Sequence, residues 1–102
     1  MSKESHMVSP ELWEELLKNG WNKEIILERA ISTEILEELP HIINKEFILR
    51  IWKNENGYFI DYFNAYTEKP YLMELPLSLQ SGIKLSDTLA RMYIYLTQQK
   101  II

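Results

Sequence analysis

Two runs of β-forming residues, separated by a turn sequence, constrain the fold of this chain more than any other feature. The runs cover residues 47–53 and 58–63, and Asn-Glu-Asn-Gly lies between them. Because Asn and Gly tolerate the positive φ angles of tight turns, this pattern predicts an antiparallel β-hairpin. Two registers are open: a two-residue turn places Ile51 opposite Tyr62, and a four-residue turn places Ile51 opposite Ile60.

Both registers divide the hairpin into the same two faces, because successive strand residues point to opposite sides of a sheet. The first face is apolar and is expected to join the core. It holds Phe47, Leu49, Ile51, Ile60 and Tyr62. The second face mixes aromatic and charged side chains, which makes it the unusual one. It holds Ile48, Arg50, Trp52, Phe59, Asp61 and Phe63.

Helical patterns precede the hairpin. Ser9 is a good N-cap, Pro10 is tolerated at the first helical position, and Gly20 is a typical helix stop, so a first helix is predicted between them. The pattern over residues 23–39 predicts either one bent helix or two helices separated at residues 32–33, where Ser and Thr favour helix caps. The sequence leaves these alternatives open.

The chain after the hairpin predicts one more strand and one more helix. Residues 71–75 are rich in apolar side chains and lie between Pro70 and Pro76, a pattern typical of an edge strand. Apolar residues repeat with helical spacing over residues 85–96, which predicts a helix that begins at Ser86 and packs across the first face. The predicted fold is α+β, with N-terminal helices, a three-stranded antiparallel β-meander and a C-terminal helix across the sheet.

The chain has 102 residues, a length typical of a single domain. We expect residues 9–102 to form that domain and residues 1–8 to be a flexible segment, in which residues 5–7 match a cloning remnant. No apolar run approaches the roughly 20 residues that a membrane span needs. Residues 1–7 also lack the apolar segment of a signal peptide, so a cytoplasmic protein without membrane contact is expected.

Charge and composition exclude several classes of function. The net charge is −4, and no basic stripe is available to neutralise a phosphate backbone, which argues against duplex nucleic acid as a partner. The chain contains no cysteine, so disulfides, thiolate chemistry and cysteine-based zinc sites are excluded. The composition is otherwise that of an ordinary globular protein.

The sequence contains no pattern of residues typical of a catalytic site. His41 follows a proline and lacks a nucleophile with an orienting acid nearby in any recognisable motif. The histidines and carboxylates lack the spacing of metal ligands. The three glycines are isolated and form no phosphate-binding loop. We therefore expect a protein that is not an enzyme and that needs neither a metal nor another cofactor.

Five residues of the second face form a candidate binding site: Arg50, Trp52, Phe59, Asp61 and Phe63. Aromatic rings beside an arginine can anchor a protein partner or stack on nucleic-acid bases. The alternative is that the N-terminal helices, with Trp13 and Trp21, cover this face as a second core layer. Arg91 and Tyr95 are secondary contact candidates, and the apolar residues 101–102 leave a homodimer open.

Residues 85–96 resemble the closing helix of many small uncharacterised phage and prophage proteins. The leucine-proline stretch of residues 34–40 and the Gly-Tyr start of the second strand at residues 57–58 extend this resemblance, which covers about residues 33–97. It implies a phage or prophage origin, in a bacterial host, and no particular activity. The expected function is that of a non-enzymatic accessory protein that binds another protein, for which a host factor is one candidate. The alternative is a single-stranded nucleic-acid-binding module.

Overall fold

The computed structural model describes residues 6–64, 66, 69–70 and 79–102, and within them it contains three helices and five strand segments. The helices are α1 (Pro10–Lys18), α2 (Ser32–Glu38) and α3 (Leu85–Gln98). The strands are β1 (Ile42–Ile43), β2 (Phe47–Asn54), β3 (Gly57–Asn64), β4 (Lys69–Pro70) and β5 (Gln80–Gly82). The predicted α+β class is therefore confirmed. None of the described helices is long and apolar enough to cross a bilayer.

The strands form one antiparallel sheet in the order β1-β2-β3-β4, and β5 also pairs with β3. β4 and β5 lie along the same edge of β3, because β2 occupies the other edge over its whole length. The described sheet is thus four positions wide, and the prediction of a three-stranded meander is wrong. The predicted third strand, residues 71–75, lies outside the described residues.

The sequence prediction lacks β1 because the turn that forms this strand contains no glycine. Asn44 (φ +53°) and Lys45 (φ +65°) both adopt the left-handed conformation, which lets the chain fold back along β2. The N–H of Glu46 closes the turn by donating to the carbonyl of Ile43 at 3.3 Å. Asparagine tolerates this conformation, but lysine is not a usual turn residue there.

β2 and β3 pair with Ile51 opposite Ile60, one of the two predicted registers. The turn itself differs from the prediction for that register. Asn54 pairs with Gly57, so the turn is two residues long and not four. The Oδ1 atom of Asn54 supports this turn by accepting the N–H of Asn56 at 2.7 Å.

Gly57 and Gly82 allow β5 to lie close to the hairpin and to α3. Gly57 has a φ of +127°, and a Cβ atom there would lie 2.6 Å from the carbonyl oxygen of Gly82. A Cβ atom on Gly82 would collide with the side chains of Thr88 and Arg91. Glycine is therefore required at position 57, where φ is positive and the collision is with backbone, whereas at Gly82 the two side chains would have to shift.

The core lies between the first face and the helices, with α1 and α2 packed against α3. Ile60 and Tyr62 of β3 are buried in it, whereas Ile51 on β2 is 38% exposed, so the core centres on β3. The tyrosine hydroxyl donates to the carbonyl of Pro40 at 2.6 Å, and burial raises the pKa of Tyr62. The fully buried helical members of the core include Leu16, Ile35, Leu89, Met92 and Leu96.

Residues 23–30 are not helical, so both predicted arrangements of residues 23–39 are wrong for this segment. The N–H of Val8 donates to the carbonyl of Ala30 at 2.9 Å, and Nε of Arg29 donates to the carbonyl of Val8 at 2.7 Å. The first bond pairs a backbone carbonyl of this segment with Val8, and the second holds the Arg29 side chain against the same residue. Helix propensity is a weak preference that such tertiary contacts override.

Two residues just before α1 are also part of the fold. Met7 and Val8 are 4% and 0% exposed, and Met7 forms an isolated β-bridge with Ile31. Both residues lie within residues 1–8, for which the sequence predicts a flexible segment. Their apolar side chains are buried, which favours an ordered position over a solvated one.

The first and last helices meet at their N-terminal ends through Ser9 and Asp87. The backbone N–H of Ser9 donates to Oδ1 of Asp87 at 2.7 Å, and the serine hydroxyl donates to Oδ2 at 2.5 Å. The neighbouring Ser86 hydroxyl donates to the carbonyl of Met7 at 3.0 Å. These hydrogen bonds connect positions nearly 80 residues apart in sequence, 78 for Ser9 and Asp87.

Candidate functional site

Arg50 and Asp61 form a two-point ion pair on the second sheet face. The register places them opposite each other on β2 and β3. Nε of Arg50 donates to Oδ1 of Asp61 at 3.0 Å, and Nη2 donates to Oδ2 at 2.7 Å. This paired geometry fixes the plane of the guanidinium. The hydrogen bonding of Arg50 to Asp61 raises the pKa of the guanidinium and outweighs the opposing effect of burial.

Aromatic rings surround this ion pair. The Cζ atom of Arg50 lies 4.6 Å from the ring centroid of Trp52 and 4.3 Å from that of Phe63, distances typical of cation–π contacts. Trp52 also stacks on Phe59, with centroids 5.5 Å apart and ring planes inclined by 15°. The five residues of the predicted binding site therefore lie together in one cluster.

β1 extends the cluster with an aliphatic pair. Ile42 lies opposite Ile48 in the antiparallel register, and Ile48 in turn lies opposite Phe63, so the three side chains share one face. We call the seven-residue surface the aromatic face. It consists of Ile42, Ile48, Arg50, Trp52, Phe59, Asp61 and Phe63. Sequence reasoning did not assign Ile42 to it, and the only local signal was the pair of isoleucines before Asn44.

The two charges of the aromatic face differ sharply in exposure. The side chain of Arg50 is 44% exposed, whereas that of Asp61 is 4% exposed. The three aromatic residues are partly buried, and Ile42 and Ile48 are 47% and 39% exposed. Solvent therefore meets the guanidinium, rings and aliphatic groups, while the balancing carboxylate lies beneath them.

The described helices pack on the opposite side of the sheet. Trp21 is 5% exposed within the core cluster, and its ring meets that of Tyr93 edge to face, with centroids 5.2 Å apart. Trp13 packs against the same cluster. The alternative in which these tryptophans cover the aromatic face is therefore wrong.

The two secondary contact candidates on α3 have different surroundings. Arg91 is partly exposed, and its Nη1 donates to the carbonyl of Ser81 at 3.0 Å, so it connects α3 to β5. Tyr95 is 7% exposed and belongs to the core cluster. Little of the Tyr95 side chain is therefore open to a partner.

The described residues contain no group of three or more histidine, aspartate or glutamate side chains arranged to hold a metal ion. No protein-family model matches the chain, and neither a curated protein nor a solved structure is significantly similar to it. The aromatic face combines exposed apolar area with one fixed arginine.

Proposed function

We propose that this protein is a non-enzymatic accessory protein that acts by binding a partner protein through the aromatic face. One observation carries the proposal: Asp61 balances the charge of Arg50, while the surrounding rings and isoleucines keep exposed surface. Such a surface can exclude water without leaving an unpaired buried charge. Tryptophan and arginine are also enriched among the residues that dominate binding energy in protein interfaces.

The fixed arrangement of the face also favours binding. Arg50 is held by two hydrogen bonds and two rings, and Trp52 is held by its stack on Phe59. Immobilising a free side chain costs about 0.5–1.5 kcal/mol when a complex forms. Side chains that are already fixed avoid much of this cost, so a modest contact area can give useful affinity.

The resemblance of residues 33–97 to phage and prophage proteins supports a narrower form of the proposal. On this basis the protein originates from a phage or prophage, and its partner is a protein of the bacterial host cytoplasm. Single-stranded nucleic acid is the alternative ligand, because the stacked rings of Trp52 and Phe59 also suit bases. The net charge of −4 and the paired state of Arg50 favour the protein partner.

The test is affinity capture from a bacterial lysate with wild-type protein and two charge-matched double variants. Ile42→Glu with Ile48→Glu places two carboxylates on the aromatic face at positions that are already exposed. Leu17→Glu with Ile83→Glu adds the same charge at side chains that are 49% and 87% exposed elsewhere. We expect at least one lysate protein to be captured by wild type and by the variant with Leu17→Glu and Ile83→Glu. The variant with Ile42→Glu and Ile48→Glu should not capture it.

The proposal fails if every protein captured by wild type is captured equally by the variant with Ile42→Glu and Ile48→Glu. Thermal unfolding curves of both variants provide the control, since each must remain folded for the comparison to count. Single replacement of Trp52 by alanine, in the same assay, extends the test to the centre of the face. A loss of capture is expected there as well, because tryptophan contributes large buried area.

A further inference from the structure

We propose that Arg50 recognises a carboxylate group, carried by an apolar segment of the partner protein. This inference rests on the proposed function and specifies the chemistry of the partner at the same site. It follows from the N–H groups of Arg50 that Asp61 does not use, from the fixed position of the guanidinium and from the groups that the aromatic face exposes.

Arg50 has donors to spare after its pairing with Asp61. A guanidinium carries five N–H groups, and the ion pair uses one on Nε and one on Nη2. Among the described residues, Nη1 has no acceptor, so its two N–H groups and the second one on Nη2 stay available. Nη1 and Nη2 together form the outer edge of the fork, which can bind another carboxylate through two parallel hydrogen bonds.

The available edge is held in position and is accessible. Asp61 fixes one edge of the guanidinium, and the rings of Trp52 and Phe63 contact its plane at 4.6 and 4.3 Å. The side chain as a whole is still 44% exposed. A ligand oxygen therefore meets an arginine whose conformational freedom is already restricted, which lowers the cost of binding.

The exposed groups of the aromatic face suit a single carboxylate in apolar surroundings. The one accessible charge on the aromatic face is Arg50, because Asp61 is 4% exposed and the other five residues are uncharged. Nucleic acids gain affinity from several phosphate contacts, which one arginine cannot provide. Ile42, Ile48 and the rings instead fit apolar side chains on either side of an acidic residue.

The test uses peptides from a random seven-residue library, selected on wild-type protein and on the double variant Arg50→Met with Asp61→Leu. The double variant removes both charges together, so no unpaired charge is buried and the apolar surface is kept. We expect wild type to select peptides with Asp or Glu between apolar residues, and the double variant to select apolar peptides without that preference. Melting curves of the double variant show whether it is folded.

Affinities of one selected peptide and of its version with glutamine in place of the acid complete the test. On wild type we expect the acidic form to bind about tenfold more tightly, the effect of one charge-assisted hydrogen bond. On the double variant we expect the two forms to bind within about twofold of each other. The single variant Arg50→Lys, which keeps the charge and loses the fork, is expected to recover only part of the difference.

Three results would overturn the inference. If the acidic peptide and its glutamine version bind wild type with equal affinity, Arg50 does not recognise a carboxylate, although the proposed function still stands. If selected peptides bind the variant with Ile42→Glu and Ile48→Glu as well as wild type, both proposals fail. If wild type prefers oligothymidylate to every selected peptide, and loses it in the double variant, the face binds nucleic acid instead.

Discussion

At the scale of single residues, Gly20 and Gly57 share a positive φ but differ in their surroundings. Gly20 has a φ of +95° at the end of α1, where it stops the helix as predicted, and an added Cβ atom would meet nothing within 4 Å. Gly57 has a φ of +127°, and a Cβ atom there would press on the backbone of Gly82. Comparing the two glycines therefore distinguishes the cost of a positive φ from the cost of a steric collision.

Alanine at these two glycines should destabilise the protein to different degrees. Gly20→Ala should cost about 1–2 kcal/mol of unfolding free energy, since only the left-handed conformation is penalised. Gly57→Ala should cost about 3 kcal/mol or more, because the contact between β3 and β5 must also shift. Urea unfolding of both variants measures the difference. Equal losses would show that the close approach to Gly82 contributes nothing.

At the scale of elements, Asp87 joins α3 to the start of α1. The carboxylate accepts both the backbone N–H and the hydroxyl of Ser9, so the serine side chain makes no hydrogen bond to its own helix. Ser9 was predicted as a helix cap from its residue type alone. Its actual bond depends on a residue at the other end of the chain, which no local pattern contains.

Removing Asp87 should therefore cost more than removing the hydroxyl of Ser9. Asp87→Ala loses both hydrogen bonds and should lower the unfolding free energy by about 2–3 kcal/mol. Ser9→Ala keeps the backbone bond and should lower it by about 1 kcal/mol. In the double variant the two losses should not add, because the residues share one interaction. Additive losses in denaturant unfolding would argue against a direct bond.

Local sequence patterns predicted those helices and strands whose own residues favour that structure. The hairpin followed from β-forming residues around Asn-Gly, and α1 and α3 followed from apolar spacing with a proline start or an acidic first turn. Residues 23–30 have a helical pattern too, but the carbonyl of Ala30 accepts from Val8, a contact that periodicity cannot reveal. β1 depends on left-handed Lys45, which residue statistics disfavour.

The five predicted site residues came together for a simple reason. Strand alternation assigns side chains to faces even when the register is uncertain, so Arg50, Trp52 and Phe63 were placed on one side before the pairing was known. Strand alternation could not indicate which of the two faces is buried and which is exposed. Which side the helices cover is a property of the packed molecule. The same holds for α3, on which Tyr95, a predicted contact candidate, is 7% exposed.

At the scale of the whole molecule, the acidic balance should prevent binding of single-stranded nucleic acid. In a Trp13→Phe variant, Trp21 is buried, so fluorescence changes caused by a surface ligand report mainly on Trp52. We expect oligothymidylate at low salt to leave this fluorescence unchanged, because the protein carries a net charge of −4. Quenching that weakens steeply with added salt would favour the alternative function.

The hydrogen bonds between Ser9 and Asp87 also have a consequence for biosynthesis. Ser9 is synthesised before Asp87, whose carboxylate holds it and follows 78 residues later in the chain. Contacts between such distant positions form late, since closing a long loop costs conformational entropy that the new bonds offset only after they have formed. The buried residues next to Ser9, among them Val8, therefore cannot reach their native packing before Asp87 has been synthesised.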